Sequence, residues 1–283
     1  MKCPPAAGIG DNRPVLVLAV KALLAPMFVV GASVAARRFG PRVGGLVGGL
    51  PVVAGPILLA YALEHGRAFA GQAAAGTLLG LLSLTTFVVV YGRLARRAPW
   101  SVCMLSGWVA FALVTVVLDG VVVPAGVALG LVCLGFAGGL LLLPGQPDAA
   151  AGGGGAIAPA PVWDLPVRAG CALALVLALT TAAGWLGPQL SGLLAPFPVI
   201  TTVLATFTHS QLGSDEAVRL LRGMLSGFVT FALFCFTLTV SLKGATVTIA
   251  FALATAAALS AQAFMLSRAR RRTAVRGEAQ LSQ

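Results

Sequence analysis

The chain has 283 residues, 58% of them hydrophobic and 10% charged, with a mean hydropathy of +0.97 and a formal net charge of +11. A soluble domain carries about 45–50% apolar and about 25% charged residues, so a soluble core, a disordered chain, a collagen-like repeat and a disulfide scaffold are all excluded. The 19 lysines and arginines lie in short clusters between apolar runs with almost no aromatic interleaving, which excludes nucleic-acid binding and fits the loops of a polytopic membrane protein.

A spanning helix needs about 20 apolar residues. Nine segments meet that length: 15–36, 44–63, 68–91, 100–118, 121–143, 165–186, 189–209, 217–241 and 245–266. The first is long enough to span, so it is expected to belong to the fold rather than to a cleaved signal peptide. Asp119-Gly120 is a turn signal that divides the fourth segment from the fifth. Residues 144–162 form a Gly/Ala/Pro tract that reads as a flexible linker. Four of the five cysteines lie inside apolar segments without a CxxC pair, and read as small apolar residues.

With nine crossings, fourteen of the 19 cations fall on one side; the others are Lys2, Arg13, Lys21, Arg67 and Lys243. The positive-inside rule then places the N-terminus outside and the C-terminus in the cytoplasm. The tail SRARRRTAVRGE lies where anionic lipid headgroups can hold it.

A shift of 147 residues brings Gly40 to Gly66 into register with Gly187 to Gly213. Identities fall at Gly40/Gly187, Pro41/Pro188, Gly45/Gly192, Leu46/Leu193, Pro51/Pro198, Val52/Val199 and Gly66/Gly213, and Lys21 pairs with Arg168. The register predicts a duplication. Residues 1–14 are an N-terminal tail, 15–118 the first repeat, 119–143 a connector helix, 163–266 the second repeat and 267–283 a basic tail. One connector helix between the copies makes them enter the membrane from opposite sides. Their loops agree, since RRFGPR carries arginines and WLGPQLSG carries no charge.

In inverted repeats the best pointer to a binding site is a Gly/Pro-interrupted helix at matching places in both halves. Helix two carries Pro51 and Gly55-Pro56, and helix seven carries Pro196 and Pro198. Each proline removes a backbone donor and breaks the ladder. Pro51, Gly55 and Pro198 would shape the site, and Thr201 and Thr202 would supply hydroxyls. The competing reading is two kinked helices whose threonines bond back to their own carbonyls. Gly44, Gly45, Gly48 and Gly49 read as close helix packing.

Lys21 and Arg168 are the cations deepest in apolar sequence. Either they snorkel to the interface or they attract an anion from each side of a symmetric route. Lys21 could pair with Asp119, and Arg168 has Asp164 one helical turn away. Glu64, His65 and His209, the last beside Asp215 and Glu216, could relay protons, although solvated helix ends are commoner. No HExxH, GxSxG or Walker motif occurs, so neither an enzyme, a metal nor a cofactor is expected.

Each half resembles the GlpM-like inner-membrane proteins, a small family of four-helix bacterial membrane proteins. The residues that carry the likeness are KALLAPMFVVGASVAARRFGPRVGGLVGGLPVV and VRAGCALALVLALTTAAGWLGPQLSGLLAPFPVI. Both have a cation near the start of their first helix, a Gly-Pro turn, and a proline followed by valine. The resemblance implies a bacterial inner-membrane location and says little about substrate.

The sequence therefore predicts an all-α polytopic bundle of about nine helices, made of two inverted four-helix repeats plus a connector. The expected function is a permease for a small solute, with an anion favoured by the cation pair. The alternative is a non-transporting accessory subunit or lipid-interacting scaffold. Membrane lipids and the solute are the expected partners, and a homodimer is compatible with the sequence.

Overall fold

The computed structural model describes residues 13–51, 54–145, 164–183 and 192–281, and their side chains except at 13–25, 60, 64, 175–183 and 268–281. Lys21 as a side chain and most of the linker lie outside that set.

All regular structure among the described residues is helical. The chain runs through α1 (Arg13–Phe39), α2 (Pro41–Gly48), α3 (Ala54–Glu64), α4 (Gly66–Leu94) and α5 (Trp100–Leu118). It continues through α6 (Ala125–Leu142), α7 (Asp164–Ala183), α8 (Val199–Leu212), α9 (Ser214–Ser241) and α10 (Val247–Leu281). Glycine sets the sharpest joints. Gly40, Gly66, Gly120 and Gly213 adopt φ between +82° and +91°, a region closed to most side chains, so the Gly-Pro turn and the Asp119-Gly120 turn are backbone-encoded.

Two segments differ from single uninterrupted helices. Residues 44–63 divide into α2 and α3, separated at Gly49–Pro51, because Pro51 has no amide to donate to the turn before it and Pro56 is accommodated in the first turn of α3. The other break lies at Ala195–Pro198, between a short helical turn at 192–194 and α8. At the far end α10 runs on to Leu281, so the basic tail continues a helix; its arginines and alanines are strong helix formers and it has no proline.

Six stretches are long and apolar enough to cross a membrane: Gly66–Leu94, Trp100–Leu118, Ala125–Leu142, Gly192–Leu212, Ser214–Ser241 and Val247–Ser267. Three of them form the centre, with 67–72% of their apolar windows buried in α4, α9 and the stretch containing α8. The other three, α5, α6 and α10, are 22% buried. What they turn outward is apolar: Val117 is 74%, Leu134 72% and Leu141 86% exposed. Apolar surface on that scale is stable against lipid, so the chain is a polytopic helical membrane protein.

Helices that correspond across the 147-residue shift run antiparallel. Arg96 at the end of α4 pairs with Asp215 at the start of α9, at 2.8 Å, while Arg67 at the start of α4 donates to the Ala245 carbonyl beyond α9. Arg37 at the end of α1 pairs with Asp164 at the start of α7. One end of the bundle thus gathers Arg37, Arg93, Arg96, Arg168 and Arg222, of which Arg93, Arg96 and Arg222 also grip the carbonyls of Leu142–Gly145.

The centre is closed by backbone contact. A Cβ added to Gly45 would meet the Leu220 carbonyl oxygen at 2.1 Å, and one added to Gly192 would meet that of Ala73 at 2.4 Å. Likewise Gly227 faces the Leu46 oxygen at 2.5 Å and Gly80 faces the Leu193 oxygen at 2.6 Å. Each second contact is the first displaced by 147 residues at both partners. Small residues let α2 lie on α9, and the turn at 192–194 lie on α4, as closely as helices can.

Candidate functional site

The two interrupted stretches bring their breaks to one cavity. Its volume is about 40 Å³, and ten of its fourteen lining residues form five pairs related by the 147-residue shift. These are Gly48/Ala195, Leu50/Phe197, Pro51/Pro198, Ala54/Thr201 and Leu84/Phe231. Phe228 adds a wall from α9, 14 residues from Ser214 and 13 from Ser241, which puts the cavity roughly 20 Å from either end of that helix.

Each break restarts its helix in the same way. The amide of Gly55 donates to the Pro51 carbonyl at 2.9 Å, and that of Thr202 to the Pro198 carbonyl at 2.7 Å. A proline at the head of a helix loses no hydrogen bond there, since the first amides have no intrahelical acceptor. The lining is apolar apart from Thr201 and the backbone of the breaks. A space of 40 Å³ holds about three or four waters at about 10–15 Å³ each, far below the roughly 300–1,000 Å³ of a drug-sized pocket. Anything larger than a small ion would require the breaks to move apart.

Of the residues singled out by sequence, Pro51, Pro198 and Thr201 meet at this cavity. Gly55 is the second residue of α3 and is not part of the lining; a Cβ there would meet only Phe234 Cζ, at 3.7 Å. Thr202 is committed elsewhere, since its hydroxyl accepts a 3.0 Å hydrogen bond from Trp108 Nε1 on α5. Trp108 in turn lies against Phe197, with ring centroids 5.8 Å apart, so the contact braces the break from outside. Back-bonding of threonine to the preceding turn occurs at Thr77, Thr85 and Thr239 instead.

Arg168 is remote from the cavity. It reaches Gln211, ten residues beyond Thr201 on α8 and thus about 15 Å along the axis. The contact is 3.0 Å, the Asp164 carboxylate is 2.9 Å from Arg168 Nε, and the guanidinium lies 4.8 Å from the Phe207 ring centre. Asp164 is fully buried and also receives Arg37 and Gln211 Nε2. It is the first residue of α7, ahead of the apolar stretch. Burial would raise its carboxyl, but hydrogen bonds from Gln211 and Arg168 and the Arg37 charge outweigh that and hold it below the ordinary carboxylate range. This is a buried ion cluster that ties α1, α7 and α8 together at the arginine-rich end.

His209 faces Tyr91, whose hydroxyl is 3.4 Å from Nδ1, whereas the neighbouring Asp215 is taken by Arg96 and Glu216 by Arg219. Among the described residues no group of three His, Cys, Asp or Glu side chains could hold a metal ion.

Sequence reasoning missed Leu84, Phe228 and Phe231, which complete the lining. The signal was present: Gly76/Gly223 and Gly80/Gly227 continue the 147-residue register into α4 and α9 with small-residue spacing, and Leu84/Phe231 follow four positions later. Trp108 and Gln211 had no such signal, because their partners are set by tertiary packing. Compared with models of known families, with curated proteins and with solved structures, the chain finds no match.

Proposed function

We propose that the chain is a secondary transporter or permease of a small solute, built from two inverted repeats whose broken helices frame the solute site. One observation carries the proposal: the cavity is lined by corresponding residues of both halves, at mid-length of α9. A site on the axis relating two inverted halves can be opened from either side by equivalent movements, which is what alternating access needs. The antiparallel pairing of α1 with α7 and of α4 with α9 supports the inversion.

Nine crossings follow if the six long apolar stretches are joined by α1, α7 and the broken pair α2–α3. The arginine-rich end then faces the cytoplasm by the positive-inside rule, with the N-terminus outside. A bacterial inner membrane follows from the GlpM-like resemblance, and the basic tail meets anionic lipid.

Osmotic reswelling of proteoliposomes tests the proposal. Purified protein in vesicles of phosphatidylethanolamine and phosphatidylglycerol is shocked with a panel of neutral solutes and salts, and light scattering follows solute entry. At least one solute should enter faster than into protein-free vesicles, with the gain reduced in Thr201→Val of unchanged thermal stability. If no solute gains entry, transport is excluded and an accessory or scaffold role takes its place.

A further inference from the structure

The helix that begins at the cavity on the second-half side is α8, with fourteen residues; the one on the first-half side is α3, with eleven. Ala54, first residue of α3, and Val199, first residue of α8, both line the cavity. Two helix N-termini therefore face one half-open, largely apolar space. Each carries about half a positive elementary charge, so together they offer about one. Among the described residues no charged side chain lines the cavity to cancel or add to that.

The donors are concentrated on α8. Its cap, Pro198, makes no side-chain capping bond. The Val199 amide is taken by the Phe197 carbonyl and the Thr202 amide by that of Pro198, both at 2.7 Å. The amides of Ile200 and Thr201 have no acceptor one turn back. An independent feature points to a ligand. Thr201 is 3% exposed and lines the cavity, and among the described residues its hydroxyl makes no hydrogen bond. Its oxygen is not one of the fully buried polar atoms left without a partner, so it opens on the cavity, and the cavity's occupant is what it can bond.

We infer that the solute is a small monovalent inorganic anion of chloride size, held between the N-termini of α3 and α8 with the Thr201 hydroxyl donating to it. The inference rests on the transport reading and specifies its substrate class. Charge and size both select. A single negative charge matches the two half-charges, whereas a dianion would leave one charge uncompensated in apolar surroundings. A cavity of about 40 Å³ takes a halide as it stands, whereas an organic acid would need the two breaks to move apart. The attraction comes from backbone dipoles at mid-length of the bundle; Arg168, about 15 Å along α8 and engaged with Asp164, is not its source.

Uptake of radiolabelled chloride into chloride-loaded proteoliposomes tests this, because tracer exchange registers a channel, a uniporter or an exchanger alike. Chloride uptake should exceed that of protein-free vesicles and sulfate uptake should not. Thr201→Val should weaken chloride uptake or affinity by about tenfold or more, the worth of a hydrogen bond to a charged group, and Thr201→Ser should restore it. Thermal unfolding of both variants without chloride confirms that the fold is intact. Entry of urea or glycerol with chloride uptake at the protein-free level would overturn the anion inference and leave transport standing. Absence of both fluxes would overturn the two together. Chloride uptake that is unchanged in Thr201→Val would remove the anion from this cavity.

Discussion

The break after Pro51 and the break after Pro198 share a backbone and differ in what hangs from it. Both restart a helix through the same amide-to-proline bond, both rest on a long helix through glycine-to-carbonyl contact, and both face one cavity. Yet Ala54 stands where the second break has Thr201, Leu50 where it has Phe197, and Gly55 where it has Thr202. The scaffold is symmetric and the chemistry is one-sided. Backbone-to-backbone packing tolerates no drift, since any added atom collides with a main chain that cannot step aside. Side chains around a 40 Å³ cavity are freer to diverge.

The largest effect is expected at the ion cluster at the far end of α8. Removing Asp164 as a charge, by Asp164→Leu, leaves Arg168 with its side chain 7% exposed and without its carboxylate. Breaking a buried pair costs about 3–5 kcal/mol, so this variant should show the steepest fall in thermal unfolding temperature in detergent. Acid should act in the same direction. With a lowered native pKa, the carboxylate's contribution is present above its unfolded pKa and is lost as pH falls through the native one.

The shared scaffold is tested next. Gly45→Ala and Gly192→Ala each push a methyl to 2.4 Å or less from a carbonyl oxygen, and each should cost about 1–3 kcal/mol. The account requires the two losses to be similar, because the contacts are equivalent. A loss at one position alone, read by the same unfolding assay, would break the correspondence.

The outer brace of the second break follows. Thr202→Val leaves the Trp108 indole N–H without its acceptor and should cost about 1–3 kcal/mol, whereas Thr201→Val, whose hydroxyl has no protein partner, should leave stability nearly unchanged. The smallest effect is expected at Gly55, where a Cβ meets only Phe234 at an ordinary contact distance. Gly55→Ala should be neutral, or stabilising by up to about 1 kcal/mol through helix propensity.

The sequence carried the breaks plainly, because proline acts through its own backbone and needs no neighbour to do so. It also carried the register, since close-packed glycines recur at fixed positions in both halves. It could not separate Thr201 from Thr202. Adjacent helical residues point about 100° apart, and only the placement of Trp108 decides which one faces the cavity. Arg168 was ambiguous for the same reason: Asp164 one turn away was visible, but Gln211 and Arg37 reach it only in the folded bundle. That packing is why the anion inference rests on helix ends rather than on side-chain cations.

Everything in this account depends on the two halves crossing the membrane in opposite directions. Arg67 and Ser214 are corresponding residues at the starts of α4 and α9, so single cysteines at these positions, in a chain cleared of its native ones, report the orientation of each half. Membrane-impermeant maleimide applied to intact cells should label Arg67→Cys and leave Ser214→Cys unlabelled until the membrane is opened. Labelling of both from the same side would contradict the inverted arrangement, and with it the shared cavity as a two-sided solute site.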